Sequence, residues 1–287
     1  MMPTYKISSE QLENPTLLAV LASLNAASEA LGVRYFIVGA LARDLLLEYV
    51  HGIRAPQATR DVDVAVAVQD WARYEQLIDA LKNTYRFEPT NWPYRLRSAE
   101  GLYVDMIPFG LVEGPGRTIS WPPHEFVVTM LGFEEAYQAR VRIVFDEDLA
   151  VTVASPAGLG LLKLIAWDDR KDRTSRDAED LCFLMRTYYE AFSNVIFEQH
   201  FDLLEEEDFD VDYTSARAFG RAVGAIAASS EAVAATVIAL LRRETTDPDR
   251  SALVDHMGAV CIPVYQRRFE SLRSFLQGVE EGVEDVT

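Results

Sequence analysis

Apolar positions along the chain change their period several times, and each change predicts a change of element. Over residues 10–31, Leu17, Leu18, Leu21 and Leu24 recur at helical spacing, so a helix is expected there, with Gly32 as its stop. The β-branched and aromatic run Arg34–Val38 predicts a strand, and Gly39 ends it before a helical pattern over 41–49. A second strand is expected over Asp61–Val68 and a helix from about Asp70 to Asn83. Two further strands are expected over Pro93–Arg97 and Leu102–Ile107. Pro115, Pro122 and Pro123 predict a loop, and Ala139–Phe145 with Leu149–Val153 a β-hairpin. Ser155-Pro156 is a helix start, because serine caps free amides and proline at the first helical position lacks the amide that would go unpaired. Beyond it the patterns are helical: 157–167, 177–191, 215–228, 232–243 and 265–279.

This alternation predicts an α+β fold with a small mixed sheet flanked by helices, followed by a helical C-terminal domain. The expected boundary gives domains 1–154 and 155–287 of the 287 residues.

Composition narrows the classes. Hydrophobic residues make up 49% and charged residues 25%, the balance of a globular protein with a sizeable core. No long uncharged apolar run suits a bilayer and the start MMPTYKISSE has no signal-peptide pattern, so no membrane partner is expected and cytoplasm is the default location. Cys182 and Cys261 are expected to be free, buried thiols. The net charge of −18 disfavours a large nucleic-acid footprint, although Lys163, Arg170, Lys171, Arg173 and Arg176 lie close together in sequence. Glu198–Asp212 holds eight carboxylates and no Lys or Arg, and reads, like the acidic tail, as a solvated face or frayed end. His51, His124, His200 and His256 have no metal-ligand spacing. Trp92, Tyr94, Trp121 and Phe126 are expected to fill a core rather than stack on a base.

The chemistry concentrates in Asp61-Val-Asp-Val-Ala-Val-Ala-Val68. Alternate residues of a strand share a face, so the valines face a core while Asp61 and Asp63 stand side by side with small residues beyond them. Two adjacent carboxylates repel unless a cation neutralises them, and Mg²⁺ prefers carboxylate oxygens together with substrate phosphates. The alternative is a strand with one solvent-facing side. Upstream, Gly39-Ala40 forms a strand-to-helix turn whose backbone can approach phosphate, with Arg43 close enough to add a cation; the alternative is that Arg43 and Asp44 simply pair with other surface charges. Downstream, Asp105 is a single acid inside an apolar strand, which is costly unless it is paired, ligated or at a wet edge.

Together, Gly39-Ala40, Asp61-Val62-Asp63 and Asp105 resemble the nucleotidyltransferases of the polymerase-β superfamily. Ala40 departs from the small Gly or Ser usual there, which leaves phosphate contact to backbone amides. Leu161-Leu-Lys163 through Arg170, followed by Arg176-Asp-Ala-Glu-Asp-Leu181, resembles the AbiEii/AbiGii toxin branch. The resemblance covers about residues 33–185. It implies two Mg²⁺ ions held by Asp61, Asp63 and Asp105, with Asp105 also activating an acceptor hydroxyl, and a nucleoside triphosphate contacted by Gly39, Ala40, Arg43 and Lys163. Asp177 or Asp180 would support that lysine or the nucleotide. The implied acceptor is a tRNA 3′ end, a protein or a small cationic molecule such as an aminoglycoside, and an antitoxin protein is an implied partner. A catalytically silent nucleotide-binding module and a phosphohydrolase are the alternatives.

Overall fold

The strand that carries the Asp pair runs through the middle of a sheet. The computed structural model describes residues 2–12, 14–56, 61–121, 127–146 and 149–286, with the side chains of 259 and 260 left aside. Arg60, Pro122, Pro123, His124 and Phe126 lie outside the described residues. The chain divides into two units, Met1–Ser155 and Pro156–Thr287.

The first unit contains β1 (Thr4–Ile7), α1 (Thr16–Leu31), β2 (Arg34–Val38), α2 (Gly39–Asp44), β3 (Asp61–Ala67), α3 (Trp71–Tyr85), β4 (Glu88–Pro89), β5 (Arg95–Arg97), β6 (Tyr103–Phe109), β7 (Thr118–Ser120), β8 (Val127–Thr129), α4 (Phe133–Gln138), β9 (Val141–Phe145) and β10 (Leu149–Val153). Among the described residues the main sheet has eight strands in the order β1-β9-β10-β2-β3-β6-β5-β4. It is mixed: β3 runs antiparallel to β2 and parallel to β6, and β9 and β10 form the expected hairpin. Val62, Val64 and Val66 of β3 are buried, as are Val104 and Met106 beside them on β6. The Tyr74 hydroxyl of α3 donates to the Met106 carbonyl at 2.9 Å and ties that helix to the sheet. Tyr94, Trp121, Trp71 and Tyr74 form one chain of ring contacts in which Trp121 is buried, while Trp92 at its end is exposed.

Several elements differ from the sequence expectations, among them β7, β8, α4 and the second-unit helices Ser193–Gln199 and Ala252–Cys261, none of which was expected. The helix expected over 10–31 starts only at Thr16, because Pro15 biases the residue before it away from helical backbone. Its stop is as expected, with Gly32 in the left-handed region at φ 61°. The helix expected over 41–49 is α2 followed by a π-helical turn, Leu45–Val50. β1 was not expected: its alternation, Thr4-Tyr-Lys-Ile7, lasts only four residues, and it joins the sheet parallel to β9.

The second unit is helical: α5 (Pro156–Arg170), α6 (Arg176–Ala191), α7 (Ser193–Gln199), α8 (Val211–Ala227), α9 (Glu231–Thr245), α10 (Ala252–Cys261) and α11 (Tyr265–Glu284). The fold is thus α+β, with a mixed sheet flanked by helices and a helical C-terminal region. Gly220 and Gly224 of α8 meet the backbone of α11 at Phe275 and Val279, and Gly278 and Gly282 of α11 meet the backbone of α8 at Arg217 and Arg221. A Cβ at any of the four would collide with main-chain atoms of the other helix. Cys182 and Cys261 are not free thiols. They form a disulfide between α6 and α10, whose Cα atoms stand 6.3 Å apart across a sequence separation of 79. The acidic run is a solvated face, as expected, and not a frayed end: Asp202 pairs with Arg221, Glu206 with Arg217, and Asp210 and Asp212 with Arg267. Among the described residues no helix is long and apolar enough to cross a membrane.

Candidate active site

Register brings the acids together. In the β3–β6 ladder Asp63 is directly opposite Asp105, and in the β2–β3 ladder Asp63 is opposite Val38, the last residue of β2. Asp61 lies two residues earlier on the same face of β3. β2 ends at Val38 and α2 begins at once with Gly39, so the glycine turn sits against the carboxylates. Gly39 has φ +66°, and a Cβ placed there would collide with the Asp63 carboxyl group. The backbone conformation favours glycine, and the missing Cβ leaves the Asp63 carboxyl room to stand against the turn. Ala40 follows half-buried in the first turn of α2.

Arg95, on the strand beyond β6, completes the cluster. It is opposite Asp105 in the β5–β6 ladder. Its Nε donates to Asp105 Oδ1 at 2.6 Å, and its Nη2 donates to Asp105 Oδ2 at 2.7 Å and to Asp61 Oδ2 at 3.2 Å. The Asp105 side chain is 12% exposed, Arg95 29% and Asp61 40%. The forked contact answers the cost of burying the acid inside an apolar strand. The hydrogen bonds to Asp105, with the charges of Asp105 and Asp61, raise the Arg95 guanidinium pKa further above its ordinary value, so the side chain is a permanent cation here. The sequence reading did not single out Arg95. The available signal was a cation at one alternate position of a strand it did predict, at 93–97.

The three carboxylates are hard oxygen donors of the kind Mg²⁺ takes, and Asp61 and Asp105 already share one cation, the guanidinium. In donor type the set fits a divalent ion. Among the described residues, no three His, Cys, Asp or Glu side chains converge as a ready-made metal cage, and Arg95 holds positions such an ion would need.

Arg43 is buried, and its Nε donates to the neighbouring Asp44 Oδ1 at 2.8 Å. The remaining expected residues belong to the second unit and form a cluster of their own. Lys163 of α5 contacts both Asp177 Oδ1 at 3.2 Å and Asp180 Oδ2 at 2.5 Å, on the first turns of α6. Arg170, at the end of α5, grips Asp177 with Nε at 2.5 Å and Nη2 at 2.7 Å. Asp177 is 0% exposed. Burial alone would raise its carboxyl pKa, but the hydrogen bonds from Arg170 and the charges of Lys163 and Arg170 outweigh it and leave the group below the usual carboxylate range. Lys171 pairs with Asp168, so three of the five cations grouped in sequence at 163–176 are engaged with acids of their own unit.

A separate cleft of about 790 Å³ opens at the other end of β3, lined by Ala67, Val68, Gly110 and polar side chains including Arg34, Arg73 and Glu113. It is remote from the acids along the strand, and Arg117 at its wall is already paired with Glu113 and Glu135.

No protein-family model matches the sequence, and no curated protein does. Solved structures of similar chain path include ANT(2″)-Ia, described as an antibiotic-resistance factor. It is 14% identical, with a TM-score of 0.35, over 66% of this chain and 96% of that one. The Thermotoga maritima CCA-adding enzyme complexed with tRNA is 10% identical, with a TM-score of 0.34, over 98% of this chain and 85% of that one. A CCA-adding enzyme in complex with ATP is 12% identical, with a TM-score of 0.32, over 94% of this chain and 82% of that one. At this level of overlap the case for function comes from the chain's own side chains.

Proposed function

We propose that this chain is an Mg²⁺-dependent nucleotidyltransferase that moves an NMP from a nucleoside triphosphate to an acceptor hydroxyl. The observation that carries this reading is the register: Asp63 stands opposite Asp105, Asp61 lies on the same face of β3, and the Gly39 turn abuts Asp63. Asp61, Asp63 and Asp105 would hold the metal, which when bound stabilises charge on the entering and departing oxygens. Gly39 and Ala40 present backbone amides to phosphate at the turn. Arg43 supplies further positive charge; a phosphate contact by Lys163, which Asp177 and Asp180 hold within the second unit, is what the resemblance implies. Asp105 takes the proton of the acceptor hydroxyl, the hydroxyl oxygen bonds to the α-phosphorus, the bond from that phosphorus to the bridging oxygen breaks, and pyrophosphate leaves. The net charge of −18 favours a small cationic acceptor over a large RNA surface. A tRNA 3′ end or a protein side chain remains the acceptor implied by the resemblance to the toxin branch, as does an antitoxin partner.

The test is incubation of the full chain with each α-labelled triphosphate, Mg²⁺, and in turn total RNA, total protein and a panel of polycationic small molecules, beside Asp61→Asn. Label should enter one acceptor class, and the variant, with an unchanged circular-dichroism spectrum, should lose at least about a hundredfold in rate. An equally active variant overturns the reading, and pyrophosphate absent from every mixture leaves a silent nucleotide-binding module instead.

A further inference from the structure

Among the described residues, Arg95 contacts the acid cluster and takes no part in the proposed chemistry. It takes both oxygens of Asp105 and reaches one oxygen of Asp61. A cation taking both Asp105 oxygens, or bridging Asp105 to Asp61, must occupy the directions from which Arg95 now donates. The guanidinium can leave without unfolding the sheet. It is 29% exposed, it sits on a strand near the sheet's β4 edge, and it already lies over the Tyr103 ring, 5.5 Å from the centroid, a contact that does not depend on the carboxylates.

We propose that Arg95 is a resident counter-ion and positioning residue: it holds Asp105 and Asp61 in place before a divalent cation arrives and is displaced from them when it does. This rests on the reading of Asp61, Asp63 and Asp105 as metal ligands. The device keeps two carboxylates preorganised at the cost of intrinsic affinity, because a binding-competent state that is only partly populated lowers apparent affinity in proportion. Lysine could not substitute fully, since a point charge cannot fork across both oxygens of Asp105 while reaching Asp61.

The experiment is Mn²⁺ titration of the full chain, with free Mn²⁺ read by electron paramagnetic resonance, on wild type, Arg95→Gln, Arg95→Lys and Asp63→Asn. Competition predicts that Arg95→Gln binds Mn²⁺ on the order of tenfold more tightly, the factor expected if the open arrangement is about a tenth of the wild-type population. Arg95→Lys should show a smaller gain, and Asp63→Asn should bind more weakly than wild type. Mn²⁺ should also raise the melting temperature of Arg95→Gln more than that of wild type, because the ion then replaces a missing counter-charge. If Arg95→Gln binds with unchanged or weaker affinity while Asp63→Asn still loses affinity, Arg95 is a structural brace only and this inference fails with the site reading intact. If Asp63→Asn binds as wild type does, or no form binds Mn²⁺, the site reading fails and takes this inference with it.

Discussion

Two acid clusters, one in each unit, use the same residue types to opposite ends. In the helical unit Asp177 is fully buried and receives three donations from Lys163 and Arg170, and Lys163 also pairs with Asp180. Two acids face two cations and the count closes. In the sheet unit Asp105 and Asp61 share Arg95, Asp61 is 40% exposed, and Asp63 stands opposite Asp105 in the same register. The glycines repeat the contrast. Gly39 gives up a side chain so that a carboxylate can stand beside the backbone, whereas the glycines of α8 and α11 give theirs up so that two backbones can touch. A closed cluster is a fastening. A more exposed one, with space reserved around it, is where a ligand has something to add.

The sharpest way to break this contrast is to open the closed cluster. Asp177→Ala strands Arg170 and part of the charge on Lys163 beside a buried position, and should cost about 3 kcal/mol, since removing one partner of a buried pair leaves an uncompensated charge. Urea unfolding followed by circular dichroism measures it. Asp61→Asn, with its more exposed carboxylate, should cost well under half as much, at most about 1 kcal/mol. Equal losses would mean that both clusters are fastenings and would remove the physical ground for placing chemistry in the sheet.

How far the sequence alone could reach follows the same division. The valine face of β3 and the pair Asp61 and Asp63 are local, because a strand's period of two sorts side chains without knowledge of any neighbour. The alignment of Asp63 with Asp105 is not local: it depends on β3 and β6 pairing in parallel, in one register, across some forty residues of intervening chain. Arg95 was out of reach for that reason, since its importance lies in standing opposite Asp105 rather than in any spacing within 93–97. Pro15 is local too, and the backbone restriction it imposes outweighs the leucine stripe around it. α10 was hidden by Gly258, which leaves the helical region at φ 69°, and the Cys182–Cys261 bond joins positions whose sequence context carries no sign of proximity.

A smaller effect separates the two uses of glycine. Gly278→Ala drives a methyl into the Arg217 backbone of α8, which can move only with its helix, and should cost about 2 kcal/mol by overpacking. Gly39→Ala meets a side chain that can swing away, so its structural cost should be nearer the strain of a positive φ, about 1 kcal/mol. Its larger consequence should be local. A displaced Asp63 predicts weakened Mn²⁺ binding in Gly39→Ala and unchanged binding in Gly278→Ala. Weakened binding in both would mean that damage anywhere in the chain reaches the acids, and the local reading of Gly39 would be lost.

The smallest effect is the dependence on pH. In the helical unit Asp177, Asp168, Asp202 and Glu281 all have carboxyl pKa values lowered in the fold. For Asp202 the leading cause is its hydrogen bond to Arg221; for the other three, burial opposes the shift and the partner arginines and lysines override it. A group whose folded pKa lies below its unfolded value stabilises the fold fully above the unfolded value, near 4, and the contribution is lost as pH falls through the folded one. Between those limits the unfolded chain binds more protons, so acid favours unfolding. Asp177→Asn should therefore melt lower than wild type at pH 7, and the gap should narrow by a few degrees as pH is brought from about 5 to about 3. The arithmetic is confined to one residue by comparing the two proteins at each pH, because Asp168, Asp202 and Glu281 titrate alike in both. A gap that stays constant across that range would show that Asp177 fastens the helices by shape and hydrogen bonding alone, without a charge that protonation can remove.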